Sequence, residues 1–292
     1  MTHSGELRSG KGAHDENFPV ASWLIKPRHR PVILAFYEFV RVADDIADHP
    51  TLVPQEKLAR LDRLEASLMQ DGGGEPEGVA LRAVLRRYSL PTRHAQDLLN
   101  AFRQDVTKLR YETWDELIDY CSRSAMPVGR FVLDVHGESH ATWPANDALC
   151  AALQIINHLQ DCAADYRKLD RVYVPLDALA AHDIGVEALA AERASPALRA
   201  CLHGLVERTA ALLQQSHGFD VSVTDTRLAL EISVIQTLAA HLIKLLRARD
   251  PLRERVHLSK AGALAVAAGG GARALLRRVL RLAPATRRYQ TP

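Results

Sequence analysis

The sequence predicts an all-α, single-domain protein folded as a helical bundle. Alanine, leucine and arginine dominate the chain, β-branched runs are scarce, and apolar residues recur at helical spacing. This combination favours helices over strands. The 292 residues, 47% of them hydrophobic, are enough for one large helical core. No repeat with a period of about 20–50 residues is evident, which argues against a solenoid.

In the N-terminal half, proline and glycine mark the ends of the predicted helices. The first helix, 31–47, has proline in its first turn and Pro50 just beyond its end, both favourable positions. The second, 56–69, carries leucines three and four residues apart on one face. A glycine-rich loop follows from Asp71. Further helices are predicted at 78–88, 92–108, 113–121 and 124–137.

The C-terminal half opens with a helix that Asn146 or Asp147 can cap and that runs to about Tyr166. Three consecutive glycines, 269–271, are predicted to break the chain before an arginine-rich end. Helices are predicted between these points at 176–193, 195–216 and 224–249. The resulting segments are a disordered N-terminus (1–13), an all-α domain (14–262), and a glycine-rich linker with a basic tail (263–292).

Composition argues against several classes of function. The formal net charge of +2 is too small to indicate nucleic acid binding, and no aromatic residues interleave with the basic tail. The four cysteines form no C-x-x-C pair, so they predict neither a zinc site nor a disulfide framework and suit a reducing cytoplasm. No secretory signal is evident at the N-terminus, and we expect a cytoplasmic protein.

The first predicted helix carries carboxylates four residues apart in an apolar setting. Asp44 and Asp48 lie one turn apart, with Arg41 and Tyr37 one and two turns earlier on the same face. A solvated surface helix is the alternative explanation. The strongly apolar stripe that includes Phe36 argues against it, because a solvated face is polar more uniformly.

A second acidic face lies on the predicted helix that runs to about Tyr166. Gln154, Asn157, Asp161 and Asp165 share one side of a helix that is otherwise almost wholly apolar at its start. Buried acids cost free energy unless a cation neutralises them. Amide and carboxylate oxygens are the ligands that Mg²⁺ prefers. We therefore expect the two acidic faces to meet across a cavity that holds Mg²⁺ ions and a phosphorylated substrate.

These motifs resemble those of the squalene/phytoene synthases, the head-to-head prenyltransferases, over residues 14–260. The resemblance implies an isoprenoid-synthase-type bundle in which two Asp-rich helices line a central cavity and bind a prenyl diphosphate. It also implies two or three Mg²⁺ ions. The metal ligands that it implies are Asp44, Asp48, Asn157, Asp161 and Asp165.

The resemblance assigns further residues around the diphosphate. Tyr120 to Gly129 match the family's Y-C-x-x-x-A-x-x-V-G segment, which lines the tunnel for the prenyl chain. Catalytic roles are implied for the four aspartates and for Tyr37. Substrate contacts are implied for His14, Arg41, Gln154, Asn157, Gln160, Arg171, Tyr173 and Arg255.

Segments 14–22 and 156–162 resemble one branch of the family more closely, the branch that forms hydroxysqualene in hopanoid biosynthesis. That branch implies presqualene diphosphate as the substrate and water, rather than hydride, as the group that captures the cation. No NAD(P)H is therefore expected, and no G-x-G-x-x-G motif follows a strand. Tyr37 and Gln160 are candidates for positioning the water. The alternatives are a squalene or phytoene/dehydrosqualene synthase, and a non-catalytic prenyl-lipid-binding or assembly protein.

The arginine-rich end suggests a partner. Arginines at 273, 277, 278 and 281 alternate with apolar residues in a basic amphipathic pattern suited to an anionic membrane surface. A frayed basic tail is the alternative. We expect a peripheral position at the inner face of the membrane, and neighbouring pathway enzymes as further partners.

Overall fold

The computed structural model describes residues 25–282, and of residues 260, 261, 273, 274 and 276–282 it describes the backbone alone. Within this range the chain is helical and has no β-strand, which confirms the all-α prediction. The helices are α1 (Arg30–Ala47), α2 (Pro54–Met69), α3 (Pro76–Tyr88), α4 (Arg93–Thr107), α5 (Trp114–Ser124), α6 (Met126–His136), α7 (Trp143–Leu169), α8 (Leu176–Ala180), α9 (Pro196–Gln215), α10 (Phe219–Ser222), α11 (Thr226–Ala248) and α12 (Lys260–Leu282).

The apolar face of α1 packs into a core formed with α2, α3, α4 and α6. Phe39 is fully buried there, and Phe36 stacks on Phe131 of α6 with ring centroids 3.8 Å apart. Because this face turns into the core, the face that carries Asp44 and Asp48 turns away from it. The packing of α1 therefore sets the direction of the first acidic motif.

Helix α7 contributes to the larger core, which is shared with α5, α9 and α11. Ala151, Ala152 and Ile156 have no exposed surface. The helix begins at Trp143, so the prediction that Asn146 or Asp147 caps it was wrong. Proline in the first turn starts the helix earlier. Asn146 is buried inside it instead, where its amide donates to the Met126 carbonyl at 3.4 Å.

The prediction of one helix over residues 176–193 was also wrong. It contains the five-residue α8 and then a 3₁₀ turn at Val186–Ala190. Asp183, between them, has a left-handed backbone (φ 55°), which a helix interior does not accommodate. The chain therefore turns at Asp183 before α9 begins.

The three glycines do not break the chain, because α12 runs through them. Gly270 packs against α11, where Ser233 Oγ donates to its carbonyl oxygen at 3.1 Å. A Cβ at Gly270 would lie 2.8 Å from Thr237 Oγ1. The glycine stretch thus permits a close helix contact rather than a linker. The predicted domain end at residue 262 falls inside this helix.

Helix α11 is long and apolar enough to cross a membrane by composition. Half of its most apolar stretch is buried inside the protein. It contacts α7, α9 and α12, and this position is that of a core helix.

Gly129 allows α6 and α7 to approach closely. A Cβ there would lie 2.0 Å from Asn146 Oδ1 and 2.7 Å from Cys150 Sγ. We expect Gly129→Ala to lower the free energy of unfolding by about 1–3 kcal/mol, measured by urea denaturation. Gly204→Ala in α9 is the matched control, because a Cβ there meets nothing within 4 Å. The control is expected to gain about 0.5–1 kcal/mol. Equal effects in both variants would contradict the packing argument.

Candidate active site

The two acidic faces line one cavity of about 200 Å³. Asp44 and Asp48 come from the end of α1, and Asp161 and Asp165 from α7. Helical spacing puts each pair on one face, and helix packing turns the two faces toward each other. The lining also includes Phe102, Asp105, Tyr120, Ser124, Gln154, Asn157, His158, Leu169, Arg171 and Tyr173. The structure thus brings together the four predicted aspartates, while their role as metal ligands stays a prediction.

Arg171 is the buried basic residue in the cavity wall. Its guanidinium donates to Asp48 Oδ1 at 2.5 Å, to the Asp105 carbonyl at 3.1 Å and to the Ala47 carbonyl at 3.2 Å. Asp170 ends α7 with a left-handed backbone (φ 52°), which reverses the chain and aims Arg171 back at the cavity. One side chain thereby joins α1, α4 and the end of α7.

Asp105 anchors two tyrosines below the cavity. Tyr120 donates to its Oδ2 at 2.8 Å, and Tyr173 donates to its Oδ1 at 2.9 Å. Burial raises the pKa of Asp105 to about 6, although Arg171 and the two hydroxyls act in the opposite direction. Because its hydroxyl is engaged with Asp105, Tyr173 is better placed to hold the cavity wall than to contact a phosphate.

His158 extends this aromatic layer. Its ring stacks on Tyr173 with centroids 3.6 Å apart. Burial lowers the pKa of His158 to about 3, with a smaller contribution from Arg171. The imidazole is therefore neutral near pH 7.

Burial also raises the pKa of Asp44 and of Asp165 to about 7 each. Neighbouring carboxylates add to this, Asp48 for Asp44 and Asp161 for Asp165. The Asp44 side chain keeps 36% of its surface exposed. Asp44 lines the acidic cavity, so a ligand there can reach its carboxyl group. Both groups therefore carry negative charge that the surrounding protein compensates incompletely.

The oxygen donors fit a divalent cation such as Mg²⁺, which neutralises closely spaced carboxylates. Among the described residues, no three of these aspartates bring an oxygen each within 4.8 Å of one another. Mg²⁺ commonly binds through one or two carboxylates and completes its shell with water and substrate phosphates. The spacing suits that mode rather than an all-protein cage.

The raised pKa values predict a pH-dependent stability without metal. An unfolded Asp releases its proton near the ordinary value of 3.8, whereas folded Asp44 and Asp165 keep theirs until about pH 7. The free energy of unfolding should therefore fall as pH rises from about 4 to above 7. In EDTA, we expect Tm to drop by roughly a few degrees between about pH 5.5 and 8.

Scanning fluorimetry at both pH values, with EDTA and with Mg²⁺, measures this effect. Mg²⁺ should raise Tm more at the higher pH, since it binds ionised carboxylates. The double variant Asp44→Asn/Asp165→Asn is the control and should show a smaller pH effect. An equal Mg²⁺ effect at both pH values would contradict the prediction.

A second cavity, of about 320 Å³, is predominantly apolar. It runs between α1, α6, α7 and α11, and Phe36, Leu149 and Ile232 are among its walls. The segment that the resemblance assigned to the tunnel, Tyr120 to Gly129, contributes Ser124, Ala125, Val128 and Gly129 to the wall. Three residues line both cavities: Ser124, Gln154 and Asn157. The apolar cavity and the acidic cavity therefore meet at these side chains.

Several predicted substrate residues lie elsewhere. Arg41 is outside both sets of lining residues and pairs with Asp44 and Asp45, at 2.9 Å each. Gln160 lines neither cavity, because its amide donates to the Val256 carbonyl. Arg255 is exposed and also outside both cavities.

Tyr37 lines the apolar cavity and is not among the residues that line the acidic one, and its catalytic role stays a prediction. His14 and the predicted N-terminal segment lie outside the described residues.

Several polar residues of the cavity walls were not singled out from the sequence, among them Ser124, His158 and Glu231. Ser124 and His158 line the acidic cavity, and Glu231 is a buried carboxylate in the apolar one. His158 lies four residues after Gln154 and three before Asp161, so helical spacing places it on the acidic face, and the sequence could have identified it. Glu231 interrupts the apolar run of α11, and this was a readable signal.

One further cluster has metal-ligand spacing in the described part of the chain: His29, His136 and Asp225. Lys26 already pairs with Asp225 at 2.7 Å, and Arg28 Nε donates to His29 at 3.0 Å. A divalent ion would meet two cations there. The acidic cavity is the better metal site.

The fold and the paired acidic faces define a class of protein, and sequence comparison identifies the family. A sequence model of the squalene/phytoene synthases matches residues 11–262. The chain belongs to this family of enzymes, and the predicted isoprenoid-synthase-type fold is confirmed.

Among individual proteins, the chain is 60% identical to a hydroxysqualene synthase of Rhodopseudomonas palustris, over 88% of each chain. It is 57% identical to a hydroxysqualene synthase of Sinorhizobium fredii, over 89% of each chain. Among solved structures, the squalene synthase HpnC from Alicyclobacillus acidocaldarius is similar, with a TM-score of 0.71 and 30% identity. That comparison covers 84% of this chain and 92% of the other.

Proposed function

We propose that this enzyme converts presqualene diphosphate and water to hydroxysqualene and diphosphate. The observation that carries the proposal is the junction of an acidic cavity with an apolar one at Ser124, Gln154 and Asn157. A prenyl diphosphate has the same two parts, a charged head and an apolar body. The identity to two hydroxysqualene synthases supports the particular product.

Departure of the diphosphate is the difficult step, because negative charge develops on the leaving oxygen while a carbocation forms. We propose that Asp44, Asp48, Asn157, Asp161 and Asp165 hold Mg²⁺. Bound Mg²⁺ supplies Lewis-acid stabilisation of the departing diphosphate. The protein's own contribution is to fix these side chains, and Arg171 helps by holding Asp48 against two backbone carbonyls.

The apolar cavity then protects the cation. Its walls come from α1, α6, α7 and α11 and carry few polar atoms, so bulk water is kept from the reactive carbon. Water from the junction captures the rearranged cation and gives the alcohol. This outcome needs no hydride donor, and we expect no NAD(P)H requirement.

Incubation of the purified protein with presqualene diphosphate and Mg²⁺ tests the proposal. We expect hydroxysqualene that carries ¹⁸O when the reaction is run in H₂¹⁸O, and no change on adding NADPH. Squalene formed with NADPH, or condensation of two prenyl diphosphates as the main reaction, would favour the squalene or phytoene/dehydrosqualene alternative. Tight binding of the substrate without turnover would indicate a non-catalytic lipid-binding protein.

We also propose a peripheral position at the cytoplasmic face of the membrane. Leu264 and Leu275 of α12 are 74% and 50% exposed, and arginines follow each other closely along the same helix. Exposed leucines near basic residues suit an anionic lipid surface. Contact with neighbouring pathway enzymes stays an expectation.

Flotation with anionic and with neutral vesicles measures the membrane contact. We expect binding to anionic vesicles alone, and binding at least about a hundredfold weaker when Arg277, Arg278 and Arg281 are changed to Glu, since each arginine contributes about 1 kcal/mol near an anionic surface. The double variant Arg86→Glu/Arg87→Glu on α3 is the control for added negative charge. Unchanged flotation of the α12 variant would contradict the proposal.

A further inference from the structure

Ser124 carries a buried hydroxyl that lacks a hydrogen-bond partner. It is the last residue of α5, and its Oγ is hidden from bulk solvent without a bond to any atom of the described chain. Buried hydroxyls in proteins are almost always hydrogen-bonded, and an unsatisfied one costs free energy. The position of Ser124 therefore calls for a ligand or a water molecule.

Other hydroxyls in helices of this protein form the hydrogen bond that Ser124 lacks. Ser67, Thr209 and Thr237 each donate to the carbonyl four residues earlier in their own helix, all at 2.7 Å. That bond is the usual way for a helical serine or threonine to satisfy its hydroxyl. Ser122, two residues before Ser124, donates to the Asp119 carbonyl at 2.6 Å. Ser124 has no such bond.

The location of Ser124 indicates the role of the molecule that its hydroxyl would bind. Its side chain lines the acidic and the apolar cavity at once, as Gln154 and Asn157 do. A serine hydroxyl turns among three staggered positions about its Cα–Cβ bond, so it can reach a molecule in either cavity. The boundary between the cavities is where the charged head of a prenyl diphosphate joins its apolar body.

We propose that Ser124 holds the water molecule that captures the carbocation, an inference that rests on the proposed function. The bond from carbon to the diphosphate oxygen breaks first, and diphosphate leaves with the electron pair. After rearrangement, the held water donates a lone pair to the cationic carbon and forms the new C–O bond. The released proton passes to diphosphate, which is the strongest base formed in the reaction.

The residues first considered for this role are placed less favourably. Gln160 donates to the Val256 carbonyl and lines neither cavity. Tyr37 lines the apolar cavity alone, and His158 lines the acidic cavity alone. Gln154 lines both cavities, as Ser124 does, and its amide is the donor type that can give a water molecule there a second hydrogen bond.

Ser124→Ala tests the inference through two separate measurements on presqualene diphosphate with Mg²⁺. The rate of diphosphate release should stay within about threefold of the parent enzyme. An uncaptured cation loses a proton and gives a hydrocarbon instead of the alcohol. The ratio of alcohol to this hydrocarbon should therefore fall about tenfold. Ser124→Thr keeps a hydroxyl and should restore most of the alcohol. Ser122→Ala is the matched control on the same helix and should leave the ratio unchanged.

The two measurements separate the inference from the proposed function. If the parent enzyme releases no diphosphate from this substrate, the proposed function itself is wrong. If diphosphate release is normal and Ser124→Ala gives an unchanged alcohol ratio, Ser124 does not hold the water. An equal loss of diphosphate release and of both products, without rescue by Thr, would also overturn the inference, since it would indicate a structural role.

Discussion

Asp44→Asn and Asp161→Asn are each expected to reduce diphosphate release by at least about 10²–10³-fold. Each change removes a negative charge from the cavity while keeping the shape of the side chain, so the charge available to hold a divalent cation falls. Loss of one electrostatic group at a reacting centre typically has an effect of about this size. Diphosphate release from presqualene diphosphate measures it, and circular dichroism checks that the helical content is retained.

Asp147→Asn is the matched control for Asp161→Asn. Asp147 lies on the same helix and lines neither cavity, and Arg130 Nε donates to it at 2.8 Å. The control should keep at least about half of the activity. The stabilisation by Mg²⁺ should also disappear in the two active-site variants and persist in the control. Near-normal turnover of both active-site variants would refute the metal assignment.

The two acidic faces could be predicted from the sequence because they depend on helical period alone. Carboxylates four residues apart share a face wherever the segment is helical, as in α1 and α7. The apolar residues on the other side of α1 predict which way that face turns. Local pattern and global packing agree here, so sequence reasoning identified the cavity and four of its aspartates.

The partners of long side chains could not be predicted in this way. Gln160 shares the region of the acidic motif, but its amide is held by the Val256 carbonyl, 96 residues later in the chain. Arg41 has carboxylates one turn away and pairs with Asp44 and Asp45. Such choices depend on which atoms tertiary packing brings near, and the spacing of residues does not contain that information.

The prediction that the glycines at 269–271 break the chain was wrong for a related reason. Glycine weakens a helix by only about 1 kcal/mol per residue, so a favourable contact can outweigh it. The contact of Gly270 with α11 depends on the absence of a side chain. The same residue type predicts a break when viewed locally and a close helix packing when the neighbouring helix is known.

Arg171→Met is expected to lower the free energy of unfolding by about 2–3 kcal/mol and to abolish turnover. Methionine keeps much of the apolar stem but removes the charge and all three hydrogen bonds to Asp48, Ala47 and Asp105. Arg171 is buried, but the Asp48 side chain keeps 40% of its surface exposed, so solvent compensates part of its charge and the loss is smaller than for a fully buried ion pair. Urea denaturation measures the loss of stability, and diphosphate release measures the loss of activity.

Arg110→Met is the matched control, because Arg110 pairs with Asp170 at 2.5 Å on the surface, where the aspartate side chain is 66% exposed. An exposed pair contributes at most about 1 kcal/mol, so this variant should unfold close to the parent. Arg171→Lys restores the charge but not the geometry of the three bonds, and we expect it to recover only part of the stability. If Arg171→Met is no less stable than Arg110→Met, the guanidinium does not hold α1, α4 and the end of α7 together. The alignment of the two acidic faces would then depend on the hydrophobic cores alone.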